Sequence, residues 1–505
     1  MKVTLISPYL DVLALGIRGI SSFLKANGVE CELIFLPDHE ALLTEKPHFE
    51  YRYPDSLMDD VVQACSGSDL VGVSVMSNYF DRSVQITSAI KKGLGVPVIW
   101  GGIHPTVIPE DCLNYCDIVC VGEGEYPTLN LVRAMERGMD FREIRGLWFK
   151  DNGKVIKNPL EPLILDLDSL PFQDFDYEDH YTIAGDRKHL VRMDYEVQKD
   201  LFVNGLRLGE GLCFYQTMTT RGCPHACSYC CNFAFRKLFP GQQILRHRSI
   251  ENVMQELEQV KERMPYIELI AFSDDSLTAV SEASMRDFCE EYKRRIDMPF
   301  FALVSPPTLS EKKCEYLVDA GMHVVEMGIQ SGSERTNRMY RRAIPSEQVY
   351  LAAKILNRHK DRIFPPVYDV ILDNPYEERE DVLKTVRLLL RLPRPYIIQF
   401  FSLTFYPGTE LWDRAREDGL IGDAIENVYR KYYHEFEKSF LNFLVLALHH
   451  RAPRPLIRFL SQSWLAAILD SRLLRPFWRL AYRTLVKLKH LLSRGRETYK
   501  TQLTS

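Results

Sequence analysis

The chain has 505 residues, 46% apolar and 26% charged, with 63 Lys and Arg against 68 Asp and Glu. This length exceeds one ordinary domain, and the composition excludes a disordered or fibrous chain. A net charge of −5 excludes global attraction to nucleic acid, and twelve cysteines without a secretory pattern point to thiols kept reduced in the cytoplasm. The opening MKVTLISPYL reads as a strand rather than a leader, and no uninterrupted apolar run approaches the length that spans a bilayer.

Strand patterns at Val3–Ser7, Glu30–Leu36, Leu70–Val75, Val96–Trp100 and Ile118–Val121 alternate with helical patterns at Ile17–Asn27, Val84–Leu94 and Tyr126–Arg137. This alternation predicts a Rossmann-like, doubly wound parallel sheet over residues 1–145. Ligands meet such sheets at the carboxyl ends of the strands, here Ser7–Gly16, Ser74–Tyr79, Gly101–Pro105 and Gly122–Glu125. Cys112, Cys116 and Cys120 read as buried structural cysteines, since Cys120 lies inside an apolar strand. Residues 146–215 form a connector. Asn152-Gly153 turns a hairpin, Ile164–Phe172 is extended, and Asp174–Gly211 is charged and irregular, with no legible chemistry.

Beyond it, Arg221-Gly-Cys223-Pro-His-Ala-Cys227-Ser-Tyr-Cys230-Cys231 spaces three cysteines as C-x3-C-x2-C. A short loop can bring three thiolates to one point, and soft thiolates select iron–sulfur clusters, zinc or copper(I). Closed structural sites take four protein ligands, so three leave an iron open, whereas a zinc knuckle would need His225 or Cys231 as its fourth ligand. After the loop, strands at Glu268–Phe272, Phe300–Val304, His323–Ile329, Pro366–Leu372 and Tyr396–Leu403 are separated by helical patterns, giving roughly six βα units within residues 216–425. Ser249 reads as a helix N-cap and Gly321 as a helix stop. Residues 426–505 form a basic helical region: from Leu441 onward there are twelve Lys and Arg against two Asp and Glu. Apolar residues recur at helical spacing over Leu456–Leu469 and Leu474–Leu492, with Trp464, Phe477 and Trp478 among them. That pattern suits either a helical bundle or the surface of an anionic membrane.

The cysteine loop, with Tyr229 before its last cysteine, resembles the signature of radical S-adenosylmethionine (SAM) enzymes. The N-terminal region is similar to cobalamin-binding domains: Asp11-Val-Leu13-Ala-Leu-Gly16 follows D-x-H-x-x-G with Leu13 in place of the cobalt-ligating histidine. Ser74-Val-Met and Gly101-Gly102 match the later elements. The resemblance implies a partial (β/α)6 barrel behind a cobalamin domain. It implies a [4Fe-4S] cluster on Cys223, Cys227 and Cys230, and SAM contacts at Tyr229, Asp274, Asp275, Gln330, Ser331 and Asp373. It also implies cobalamin contacts at Asp11, Leu13, Gly16, Ser74, Ser77, Gly101, Gly102, His104, Gly122 and Glu123. Asp274-Asp275 stands where the family often has G-G-E, Asp373 stands where it has glycine, and Tyr406-Pro-Gly-Thr409 resembles its closing turn.

The activity so implied is methyl transfer from methylcobalamin to an unactivated carbon through a 5′-deoxyadenosyl radical. It would serve a small, hydrophobic substrate and draw electrons from flavodoxin or ferredoxin, with peripheral membrane contact through the C-terminal region. A non-methylating, oxidative cyclase-like enzyme of the same family acting on a tetrapyrrole or lipid, and a zinc- or cobalamin-binding regulatory protein, stay open.

Overall fold

The computed structural model describes residues 1–37, 50–482 and 484. The chain forms two compact units, the first from residues 1–206, 229–252 and 405–432 and the second from residues 207–228, 253–404 and 433–505.

Unit 1 is built on a nine-stranded sheet: β1 (Lys2–Ser7), β2 (Glu30–Phe35), β3 (Leu70–Ser74), β4 (Val98–Gly101), β5 (Ile118–Cys120), β6 (Leu147–Asp151), β7 (Lys154–Lys157), β8 (His180–Ile183) and β9 (Leu190–Arg192). Their order is β7-β6-β5-β4-β3-β1-β2-β8-β9. β1 to β5 and β8 pair in parallel, and Val3 to Ser7 are all buried. A run buried at every position fits a strand covered on both faces. Trp100 is the largest buried side chain. It stacks on Tyr115 at 5.9 Å, meets Phe80 edge-on, and donates from Nε1 to Thr87 Oγ1 at 2.8 Å.

Residues 405–432, of which the sequence pattern places 405–425 at the end of the barrel and the rest in the C-terminal region, pack with this unit. Trp412, Val428 and Tyr429 lie in its core, and Arg430 pairs with Asp81 at 2.7 Å. The Asp174–Gly211 stretch is also more ordered than its composition suggests. It supplies β8, β9 and helix Tyr195–Gly205, capped by Asp194. Its short strands gain their place from pairing with β2, a tertiary signal that local propensity does not carry. Asp174 is buried there; burial pushes its carboxyl up, but His180, Ser21 and Lys25 together hold it well below the usual carboxylate range.

Unit 2 carries β10 (Arg207–Leu208), β11 (Leu212–Thr217), β12 (Leu269–Phe272), β13 (Phe300–Val304), β14 (Met322–Gln330), β15 (Val367–Leu372) and β16 (Ile397–Ser402), side by side in chain order. From β11 to β16 every pairing is parallel. This is the expected six-stranded partial barrel. Helices between the strands start at serine N-caps: Ser281, Ser310 and Ser333 each accept from the backbone N–H three residues on. Gly321 ends helix Glu311–Ala320 at φ 114°, where a Cβ would lie 2.9 Å from Met298 O.

The C-terminal region consists of helices Phe440–His449, Arg454–Leu460 and Ser463–Leu469, followed by helical residues 475–482. The helix expected over Leu456–Leu469 is thus split at Ser461–Gln462, and the far end of the one expected over Leu474–Leu492 lies outside the described residues.

Candidate cofactor sites

The cysteine loop is held by backbone and buried polar groups on its unit 2 side. Asp274, fully buried at the end of β12, accepts from Thr219 N, Thr219 Oγ1 and Thr220 Oγ1, so it clamps the turn leading into the loop. Burial pushes its carboxyl up, and these donors pull it part of the way back. Ser228 donates from N to Tyr340 O at 3.0 Å and from Oγ to Met339 O at 2.7 Å.

Cys223 and Cys227 are buried, Cys230 is half-buried and Cys231 is exposed. Arg342 Nη1 donates to Cys227 Sγ at 3.9 Å and Nη2 to Gly328 O at 2.8 Å, and Asn232 Nδ2 donates to Cys230 Sγ at 3.7 Å. A guanidinium and an amide N–H aimed at sulfur offset the negative charge that a sulfur-ligated cluster carries, so this donor set fits a cluster. His225 Nε2 lies 3.3 Å from Ser305 Oγ, and burial together with Arg342 lowers its basicity. Among the described residues no three His, Cys, Asp or Glu side chains form a ready metal site.

The residues expected to contact SAM divide into two groups. Asp274, Ser331 and Asp373 spend their polar atoms on the protein itself. Ser331 Oγ donates to Glu377 Oε1 at 3.0 Å. Asp373, at φ 57°, accepts from Ser402 Oγ, Glu437 N and Asn442 Nδ2 at 2.7, 3.0 and 2.7 Å. In the structure these three therefore act as latches. Gln330, at φ 65° on the end of β14, is half-buried, and Asp275 is exposed. Tyr229 is half-buried within unit 1.

Two features escaped the sequence reading. One is Arg342. The other is a carboxylate pair, Glu326 and Asp369. The register sets Gly328 opposite Asp369, so Glu326 and Asp369 are diagonal neighbours on one face of the sheet. They share a hydrogen bond; burial first and each other's charge second push Asp369 far above the usual carboxylate range, so the pair holds a proton. Strand alternation through Glu326, Gly328 and Gln330 was the signal that could have found the first of them.

In unit 1 the expected cobalamin residues interlock. Gly102 has φ 100° and a Cβ there would lie 2.9 Å from Val75 O, while His104 N donates to that same oxygen at 3.1 Å and Val75 N donates to Gly101 O at 2.8 Å. The loops after β3 and β4 are thereby zipped into one cradle that only glycine permits. Ser74 Oγ bonds Tyr9 OH at 2.7 Å, and Ser77 Oγ bonds His104 Nδ1 at 2.9 Å. His104 has no exposed surface, and burial holds it down at about 3, so it is a neutral prop for Ser77. Gly122, at φ 99°, has Phe239 2.9 Å from where a Cβ would stand and donates its N–H to Thr106 Oγ1.

Asp11 Oδ1 caps Leu13 N at 2.9 Å, while Leu13 itself is buried. Arg18, fully buried, donates from Nε and Nη2 to Val12 O and fixes that turn from below. Gly16 has open space around it. Glu123 differs from its expected role: Arg246 Nη1 donates to both of its oxygens and Ile164 N to one, which makes it a brace. The glycine cradle and neutral hydroxyls fit a nucleotide-like tail.

A family model of the radical SAM superfamily matches residues 217–389 and one of the B12 binding domain matches residues 1–132. The chain is 29% identical over 359 residues to an uncharacterized methyltransferase of Pyrococcus horikoshii, PH0819, covering 70% of each chain. In fold it is similar to the radical SAM methyltransferase TsrM of Kitasatospora setae (TM-score 0.63, 16% identity, 83% of this chain and 76% of that one). It is also similar to the cobalamin-dependent SAM radical enzyme OxsB (TM-score 0.68, 15% identity, 99% and 81%). The three-cysteine loop on a partial barrel and the glycine cradle on the N-terminal sheet now have their explanation: the chain belongs to the radical SAM enzymes that carry a B12 binding domain, with a [4Fe-4S] cluster, SAM and cobalamin as cofactors.

Proposed function

We propose that this enzyme is a cobalamin-dependent methyltransferase that replaces a C–H bond of an unactivated carbon with a C–CH3 bond in a small, hydrophobic substrate. The observation that carries the reading is the pairing in one chain of a three-cysteine loop, two of whose sulfurs face N–H donors, with the Gly101-Gly102 cradle. When bound, cluster and SAM supply the hydrogen-abstracting radical and cobalamin supplies the methyl group. The protein's part is to place and shield these groups.

Cys223, Cys227 and Cys230 hold the cluster, and Arg342 balances its charge. Tyr229, Asp275 and Gln330 face SAM, while Asp274, Ser331 and Asp373 keep the strand ends in place behind it. Asp11, Gly16, Ser74, Ser77, Gly101, Gly102 and Gly122 form the cobalamin cradle, supported by His104 and Glu123. Leu13 offers cobalt no ligand on its side.

The domain reading that goes with this is a cobalamin domain over residues 1–145, a connector, a radical SAM domain over 216–425 and a C-terminal region that touches a membrane peripherally. No described helix is long and apolar enough to cross one, and a cytoplasmic location is proposed. Each turnover uses one SAM as methyl donor and a second as radical source. It releases S-adenosylhomocysteine, methionine and 5′-deoxyadenosine carrying the substrate hydrogen, and electrons come from a flavodoxin or ferredoxin.

The test is anaerobic reconstitution with iron, sulfide and hydroxocobalamin, followed by SAM and reductant. Both 5′-deoxyadenosine and S-adenosylhomocysteine are expected. Deoxyadenosine alone would favour an oxidative, non-methylating reaction, and zinc in place of iron would sink the enzyme reading.

A further inference from the structure

Twelve large hydrophobic side chains are exposed among the described residues, and seven of them fall between Leu456 and Leu480. They are spread over three consecutive helical pieces that are apolar on both sides. The inner side packs: Ile457, Ala466, Trp478 and Tyr482 are buried, with Trp478 against Phe440 and Phe443 and donating from Nε1 to Leu469 O at 2.7 Å. The outer residues are spaced one helical turn apart. Leu456 and Phe459 lie on the first piece, Trp464 and Ile468 on the second, and Phe477 and Leu480 on the third, with Leu473, 89% exposed, at the bend before it. Stability of the fold does not need these outer side chains, and leaving so much apolar surface in water is costly without a partner.

The charges around them name the partner. Arg458, Arg475 and Arg479 are exposed along the same pieces and Arg451 just before them; Arg475 pairs with Glu437 at 3.2 Å, and the one acid among residues 440–484 is half-buried Asp470. Bulky apolar residues bordered by arginines, with aromatics Phe459, Trp464 and Phe477 among them, match the interface of an anionic bilayer, where rings sit at headgroup depth and each arginine is attracted by the surface potential.

The surface is also keyed to the catalytic sheet. Asp373, at the carboxyl end of β15, receives hydrogen bonds from Glu437 N and Asn442 Nδ2, which lie just before and within helix Phe440–His449. Trp478 in turn rests on that helix. The end of the sheet at which such folds bind ligands is therefore fastened to helix Phe440–His449, on which the pieces that bear the apolar surface pack through Trp478.

We propose that the outer surface of residues 456–480 docks the enzyme in the plane of an anionic phospholipid bilayer and that the substrate is a hydrophobic molecule residing in that bilayer. The substrate half of this inference rests on the proposed enzymatic function.

The test is flotation of the full-length, reconstituted protein with phosphatidylcholine vesicles made with or without phosphatidylglycerol. The protein should float with the phosphatidylglycerol vesicles and lose about tenfold in partitioning with pure phosphatidylcholine or at high salt. Trp464→Ser combined with Phe477→Ser, and separately Arg458→Glu combined with Arg479→Glu, should each cost about tenfold or more. Melting by circular dichroism should be unchanged, because these side chains are exposed. Equal flotation on both vesicle types, no flotation, or an apolar variant that only turns a dimer into a monomer on a sizing column would overturn the docking.

For the substrate, 5′-deoxyadenosine is then assayed with vesicles made from a total lipid extract against vesicles of the pure phospholipids. A higher yield with the extract is expected, and an equal yield would overturn a bilayer-resident substrate. Vesicle binding without any deoxyadenosine would instead indict the enzymatic reading and leave the docking standing.

Discussion

The loops of the N-terminal sheet and the strand ends of the barrel solve the same problem, presenting a cofactor surface, with opposite chemistry. In unit 1 most candidate residues are glycines and hydroxyls that bond to one another and to a neutral histidine, and its two acids, Asp11 and Glu123, are taken up by Leu13 N and Arg246. In unit 2 they include acids. The two most conspicuous, Asp274 and Asp373, turn out to be clamps whose oxygens are filled by threonines, a serine, an asparagine and backbone N–H groups. A buried acid costs so much unless satisfied that an acid at a strand end is as informative about what it ties down as about what it binds.

That contrast can be broken experimentally, beginning where the effect is largest. Cys223→Ala should abolish 5′-deoxyadenosine formation, checked by chromatography on the reconstituted protein, because a cluster needs all three thiolates. Asp274→Asn should destabilise unit 2 by about 2–4 kcal/mol, since the amide turns an N–H toward the threonine donors in a buried site. Chemical denaturation checks this, together with iron content, which should fall alongside stability.

In unit 1, Gly102→Ala should cost about 1–3 kcal/mol by forcing a Cβ to φ 100° and to 2.9 Å from Val75 O. Cobalamin retention on a desalting column should drop, while cluster content stays.

The pH dependence separates the units again. His104 is lowered from 6.5 to about 3, so the unfolded chain binds the proton first. The stabilisation of the neutral form is complete above pH 6.5 and drains away as pH falls toward 3. At pH 5 this amounts to about 2 kcal/mol, and the melting temperature of His104→Asn should fall less between pH 7 and 5 than that of the parent.

Glu377 behaves in the opposite sense. Burial raises it from 4.5 to about 7, despite the hydroxyls of Thr336 and Ser331. Ionising it costs stability as pH rises from about 4.5 to 7. Glu377→Gln should therefore melt within about 1 kcal/mol equivalent of the parent at pH 5 and higher, by roughly 3 kcal/mol equivalent, at pH 8. An unchanged difference across that range would remove Glu377 as a proton holder.

Much of this architecture was legible beforehand because it is written in local periodicity. Apolar-rich runs such as Val3–Ser7 and Leu269–Phe272 announce buried parallel strands, and C-x3-C-x2-C announces its loop. The less legible parts depend on distant partners. β8 is a strand because β2 offers it an edge. Glu123 is a brace because Arg246 reaches it from more than a hundred residues away. Residues 405–432 join unit 1 because Trp412 and Tyr429 find its core. Glu326 and Asp369 meet only through the register of β14 on β15. Spacing identifies ligands that stand close in sequence and is silent about pairs made by the fold.

The account stands most directly on the claim that cobalamin receives a methyl group from SAM in this protein. The measurement is S-adenosylhomocysteine and 5′-deoxyadenosine after anaerobic incubation with SAM and reductant, using cluster-loaded protein prepared with and without hydroxocobalamin. Formation of S-adenosylhomocysteine only when cobalamin is present, with deoxyadenosine formed in both preparations, is the predicted result. S-adenosylhomocysteine formed equally without cobalamin would contradict it.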